Sequence, residues 1–220
     1  MQNQNEDLFP ELTPVQKVIH FIWDLVKVVV ISLIIILPVR YFLIKPFYVK
    51  GASMEPSFYD DEYLIINEIT YGLHIPFSGG RIYPLGHPSR GDIIVFRYPK
   101  DPSQYFIKRV IGLPGEKIEI KDHQVFITAP GGTPQLVDET SYLPNYINTE
   151  GDRSWELGYD EYYVMGDNRE YSLDSRTFGP VNRELIVGKV WFRGWPIWRL
   201  TIFSKINYGI PAQANGTANE

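Results

Sequence analysis

A single small hydroxyl stands at the centre of "GASMEPSF", residues 51–58 of this 220-residue chain. Ser53 is flanked there by Gly51 and Ala52 on one side and by Met54 and Pro56 on the other. A serine oxygen attacks poorly until a neighbouring group takes its proton. The chain has no cysteine, which excludes thiolate catalysis, disulfides and Cys-ligated zinc. Its four histidines, at 20, 74, 87 and 123, lack zinc spacing, and neither HExxH nor G-x-S-x-G occurs. No metal and no cofactor is therefore expected, while a triad using one of those histidines stays open. Asp60-Asp61-Glu62 reads as a solvated turn. Lysine is the other possible base, provided that burial keeps it neutral. Lys108, in "QYFIKRVIGLPGE", is best placed: strand alternation sets it on one face with Phe106 and Val110, with Ile107 and Arg109 opposite. The bland alternatives are a lysine guarding a strand edge and a serine in a turn. A third stretch, "GDNREYSLDSRTFGP" (166–180), is rich in turn formers, and its Asp174 and Arg176 can pair locally.

These residues need elements to carry them. "VVVISLIIILPV" (28–39) is uncharged, and from Leu25 to Ile44 only Lys27 and Arg40 are charged. Both lie near the ends, where long side chains reach the headgroups. "TPVQ" upstream predicts a helix start, with Thr13 as N-cap, Pro14 at the first turn and Gln16 closing a capping box. We expect a membrane helix over 14–44, kinked near Pro38, after a tail of residues 1–13. A cleaved leader is disfavoured, because the first twelve residues hold Glu6, Asp7 and Glu11 but no Lys or Arg. A buried soluble helix is the remaining alternative. The balance of basic residues on the two sides does not orient the span.

Beyond Phe47 the helical period disappears. "EYLIIN", "GDIIVFRYP", "FIKRVIGL", "KIEIKDHQVFIT", "EYYVMGD" and "LIVGKVWFRGW" are short, β-branched or aromatic, and punctuated by Gly, Pro, Asn and Asp. They predict a mainly β fold of antiparallel sheets, with a hairpin turning at Asp122-His123 and long loops over 71–90 and 129–160. The net charge of -5 argues against nucleic acid as a partner. Trp191, Trp195 and Trp198 suit a bilayer surface or the protein core. The C-terminal "AQANGTANE" is expected to be a disordered tail, 209–220.

Four stretches together resemble the bacterial type I signal peptidases, membrane-bound serine proteases with a Ser-Lys dyad. They are "GASMEPSF", "GDIIVF" (91–96), "KRVIGLPGE" (108–116) and "GDNREYSLDSRTFGPV" (166–181), in the family's order after an N-terminal anchor. The resemblance implies that Ser53 is the nucleophile and Lys108 the general base. It implies that Ser172 orients the lysine, that Asp174 and Arg176 hold the loop, and that Asp167 pairs with Arg109. Shallow pockets for small residues would be lined by Phe47, Val49, Met54, Phe58, Leu64, Val95, Phe106 and Ile107. The implied partners are the signal peptides of exported preproteins, cut after a small-x-small motif, and the lipid bilayer. The implied location is the cytoplasmic membrane, single-pass, with the catalytic domain outside. The resemblance divides the chain into a catalytic β domain, 45–116 and 164–208, and a variable, non-catalytic subdomain, 117–163. Gly51 departs from the Gram-negative branch, where a serine two residues before the nucleophile supplies an oxyanion donor. The rival readings are a self-cleaving Ser-Lys protease of the repressor type and a non-catalytic, membrane-tethered β module.

Overall fold

The structure, a computed structural model, describes residues 13–38, 45–68, 71, 73–74, 81–82, 86–144, 147–203, 206, 208 and 210. The expected tail before Thr13, the 39–44 end of the anchor, and 211–220 of the expected C-terminal tail lie outside them. The chain divides into two units, residues 1–41 and 42–220.

In the first unit, helix α1 spans Pro14–Pro38. Thr13 and Gln16 form the reciprocal cap: Gln16 N donates to Thr13 Oγ1 at 3.3 Å and Thr13 N to Gln16 Oε1 at 2.9 Å. Its 25 residues rise roughly 37 Å, more than a hydrocarbon core of about 30 Å. Asp24 and Lys27 pair at 3.1 Å. Apolar side chains cover every face and remain exposed, among them Phe21, Trp23, Val30 and Ile34, so the helix is long and apolar enough to cross a membrane.

The second unit is built from antiparallel strands, as expected. In chain order they are β1 (Lys45–Tyr48), β2 (Tyr63–Asn67), β3 (Leu73–His74), β4 (Arg81–Ile82), β5 (Ile93–Tyr98), β6 (Asp101–Gly112), β7 (Lys117–Lys121), β8 (Gln124–Thr128), β9 (Gln135–Leu136), β10 (Arg153–Glu156) and β11 (Glu161–Met165). A one-turn helix α2 (Ser175–Phe178) follows, then β12 (Val181–Asn182), β13 (Ile186–Trp195) and β14 (Thr201–Ile202). The main sheet runs β1-β2-β13-β5-β6-β11-β12, with β14 added to β13. The insert forms a separate sheet, β10-β7-β8-β9. Its β7–β8 hairpin turns where expected, with Asp122 and His123 both at positive φ, the geometry of a type I′ turn. Within the stretch expected to be one loop, β3 and β4 pair as a small ribbon.

Alternation sorts these strands into three buried clusters. Met54, Phe58, Leu64, Ile66, Val95 and Val190 pack beneath the loop that carries Ser53. Ile94, Phe96, Val110, Tyr162, Val164 and Ile186 fill the centre of the main sheet. Ile111, Ile118, Ile120, Val125, Ile127 and Tyr163 join the insert to β6 and β11. Trp191, Trp195 and Trp198 belong to none of these. With Ile197, Leu200 and Ile202 they stand exposed around β14.

Candidate active site

Three segments meet at the site. The first is the loop from β1 to β2. Val49 N donates to Glu62 O at 2.9 Å, closing its neck, and Phe58 N donates to Met54 O at 2.8 Å, forming a turn after Ser53. Met54 and Phe58 were expected to line the substrate pockets. Both are instead fully buried and lie outside the cleft lining, because their side chains pin this turn to the core from beneath. Ser53 itself is half-buried and faces a cavity of about 530 Å³.

The second segment is β6. Antiparallel pairing places Ile94 opposite Lys108 and Ile93 opposite Arg109. Lys108 is 3% exposed, and its Nζ lies 2.6 Å from Ser53 Oγ and 2.8 Å from Ile107 O. The Phe106 ring, on the same face, stands 5.5 Å from Nζ. Burial pushes the ammonium down from 10.5 to about 8, against the opposing pull of the Asp174 and Asp167 carboxylates. A neutral amine at this spot accepts the Ser53 hydroxyl proton through its lone pair and donates one N–H to Ile107 O.

The third segment is the loop after β11. The β6–β11 register, Met165 opposite Arg109, delivers Gly166 and Asp167 beside the lysine strand. Asp167 and Arg109 form a bidentate pair, Nε to Oδ1 at 2.8 Å and Nη2 to Oδ2 at 2.6 Å, both side chains buried. Asp174 accepts from Gly166 N at 3.0 Å and pairs with Arg176 at 2.9 Å, and its side chain caps α2 by accepting from Arg176 N at 3.2 Å. Ser172 differs from expectation. Its Oγ is shielded from solvent without a hydrogen-bond partner among the described residues. The bond expected to Lys108 is not made, because Nζ is turned to Ser53 and Ile107.

Phe47, Val49, Leu64, Val95, Phe106 and Ile107 do line the cavity with Ser53 and Lys108. Tyr171 and Leu173, not singled out from the sequence, add a wall from the third segment. Two further residues of that segment went unnoticed. Asn168 donates its backbone N–H to Ser53 O and its side-chain amide to Ala52 O, each at 3.1 Å. Gly166 lies so close to the nucleophile that an added Cβ would stand 2.3 Å from Ser53 O and 2.2 Å from Ser172 Oγ. The only sequence signal for either was their place in a turn-rich stretch. Gly51 has φ +88°, a conformation few other residues adopt, and its N–H is held by Asp60 Oδ1 at 2.8 Å. That amide is therefore not free to serve as an oxyanion donor.

The family profile described as "Signal peptidase, peptidase S26" matches residues 22–195. The chain is accordingly a serine protease, a hydrolase. Signal peptidase I of Pseudomonas aeruginosa is 33% identical over 198 residues, covering 76% of this chain and 69% of that one. Signal peptidase IB of Staphylococcus aureus is 32% identical over 196 residues, covering 82% and 90%. A crystal structure of a signal peptidase I from Enterococcus faecalis, 31% identical, matches 48% of this chain and 97% of its own with a TM-score of 0.39. The chain belongs to the signal peptidase family, peptidase S26.

Proposed function

We propose that the chain is a membrane-anchored signal peptidase that cuts signal peptides from exported preproteins after a small-x-small motif, with Ser53 as nucleophile and Lys108 as general base. The observation that carries this reading is the 2.6 Å contact between Ser53 Oγ and a lysine amine that burial makes easy to deprotonate. Ser53 Oγ attacks the scissile carbonyl as its proton passes to Lys108 Nζ. The lysine gives that proton to the departing amine, leaving an acyl-enzyme, and then deprotonates a water that releases the signal peptide. The Ser53 N–H is one of the two oxyanion donors such a reaction needs. Apolar walls from Phe47, Val49, Leu64, Val95, Phe106 and Ile107 favour small side chains before the cut, since larger ones do not fit without strain.

α1 supports anchoring, and the exposed Trp195, Ile197, Trp198, Leu200 and Ile202 suit contact with lipid on the outer face of the cytoplasmic membrane. Ser53→Ala and Lys108→Ala should each abolish cleavage of a preprotein while the fold persists. A serine-reactive acylating inhibitor should label Ser53 in the parent enzyme. Full activity in either variant refutes the dyad.

A further inference from the structure

Three consecutive side chains after β11 reach three different parts of the molecule. Asp167 pairs with Arg109, the neighbour of Lys108. Asn168 holds the carbonyls of Ala52 and Ser53. Arg169 turns the other way, into the insert. It is 2% exposed, and every N–H of its guanidinium has a destination. Nε donates to Gly166 O at 3.0 Å, Nη1 to Glu139 Oε2 at 2.9 Å and to Thr149 Oγ1, and Nη2 to Glu139 Oε1 and to the Tyr142 hydroxyl. Its carbonyl accepts from Arg176 Nη2 at 2.6 Å. Tyr142 ties the two halves further: its hydroxyl donates to Glu139 Oε1 at 2.6 Å, and the Arg109 guanidinium lies 4.1 Å from its ring centre.

An ion pair of this kind could do no more than keep the insert folded. The fork says otherwise, because one rigid plane spans Glu139 and Gly166 together. Gly166 is the residue jammed against Ser53 O, and Asn168, which bonds to that same carbonyl, lies between Gly166 and Arg169 in the chain. Displacing Arg169 therefore displaces the peptide that carries the nucleophile. We infer that Glu139 and Arg169 are a positioning pair, through which the insert holds the loop that sets Ser53 against Lys108. The inference rests on the Ser53–Lys108 reading, and it makes Glu139, Tyr142 and Thr149, the partners of Arg169 in the insert, supports of the loop that carries the nucleophile.

The test uses the full chain in detergent micelles, cutting a synthetic peptide with Ala at the first and third positions before the scissile bond. Glu139→Gln keeps the shape of the side chain and removes its charge. Active sites are titrated with the acylating inhibitor, so that turnover is expressed per competent site. The positioning role predicts full titration, kcat per site lowered about tenfold to a hundredfold, and KM within about twofold. A structural role predicts fewer sites, each turning over at the parental rate, and that result overturns the inference. Arg169→Lys, which keeps the cation but not the fork, should lower kcat per site likewise. The double variant should lose little more than either single one, whereas multiplying losses would separate the two residues and refute the pair. The control is Ser53→Ala. If it still cleaves, the dyad reading falls and the positioning pair with it. If it is dead and Glu139→Gln turns over normally, the positioning pair alone falls.

Discussion

The rate of acylation should follow the proton on Lys108. With its pKa lowered to about 8, the neutral fraction is about 1% at pH 6, about 9% at pH 7 and half at pH 8. If the neutral amine is the base, kcat/KM rises about tenfold per pH unit below 8 and levels off above it. The assay is cleavage of a peptide without groups that titrate between pH 6 and 10, with enzyme in micelles of an uncharged detergent. Substrate that covers the cleft removes more water from Nζ, so the break in kcat should lie at or below that in kcat/KM. Stability carries the same proton. Between about 8 and 10.5 the unfolded chain keeps the Lys108 proton while the folded one releases it, so this group's contribution to stability increases with pH across that window. Below about 8 both states are protonated, and the net cost of holding the ammonium here, burial less the attraction of Asp174 and Asp167, is roughly 3 kcal/mol. A kcat/KM that is flat from pH 6 to 9 would refute the assignment of Lys108 as the base.

Other variants probe the supports. Gly166→Ala should lower turnover by about a hundredfold or more, since its Cβ must displace both Ser53 O and Ser172 Oγ; kcat measured beside thermal unfolding separates this from loss of fold. Asp167→Asn leaves the Arg109 charge buried and unpaired and should destabilise the folded unit by about 3–5 kcal/mol in denaturant titration. Ser172→Ala removes no existing hydrogen bond and should change stability by less than about 1 kcal/mol. A drop in turnover of that variant would then identify a bond made only after Lys108 has taken the proton.

The strands that alternate over five or more residues were legible in the sequence, as were the Asp122-His123 turn and the Thr13 cap. β1 was not: "KPFY" has no pattern of its own and becomes a strand only by pairing with β2. β10, "RSWE", likewise depends on β7. Strand alternation put Lys108 on a face with Phe106 and Val110 but left a lysine guarding a strand edge open; the resemblance decided between them, and the bonds made to Lys108 depend on chain segments far apart. Met54 and Phe58 show the limit of reading pocket residues by neighbourhood. Two large apolar side chains beside a nucleophile can face the cleft or fix the turn from below, and only packing decides. Asn168 and Arg169 look like ordinary loop residues until β11 brings their backbone against Ser53 and the insert closes over them.

The two carboxylates that act on the lysine each have a cation of their own: Asp167 with Arg109 and Asp174 with Arg176. With its amine neutral, Lys108 completes a group of five side chains whose charges sum to zero. When its proton is drawn from Ser53 while the substrate carbonyl becomes an anion, plus and minus arise together and the sum is unchanged. The chemical step thus creates a short dipole beside a charge-balanced group, not an ion, and a dipole's field dies away faster with distance than that of a lone charge. Dissolved salt, which acts on fields that reach it, has little to screen. The bond-breaking step should therefore be nearly indifferent to ionic strength, however strongly salt affects the arrival of a charged preprotein.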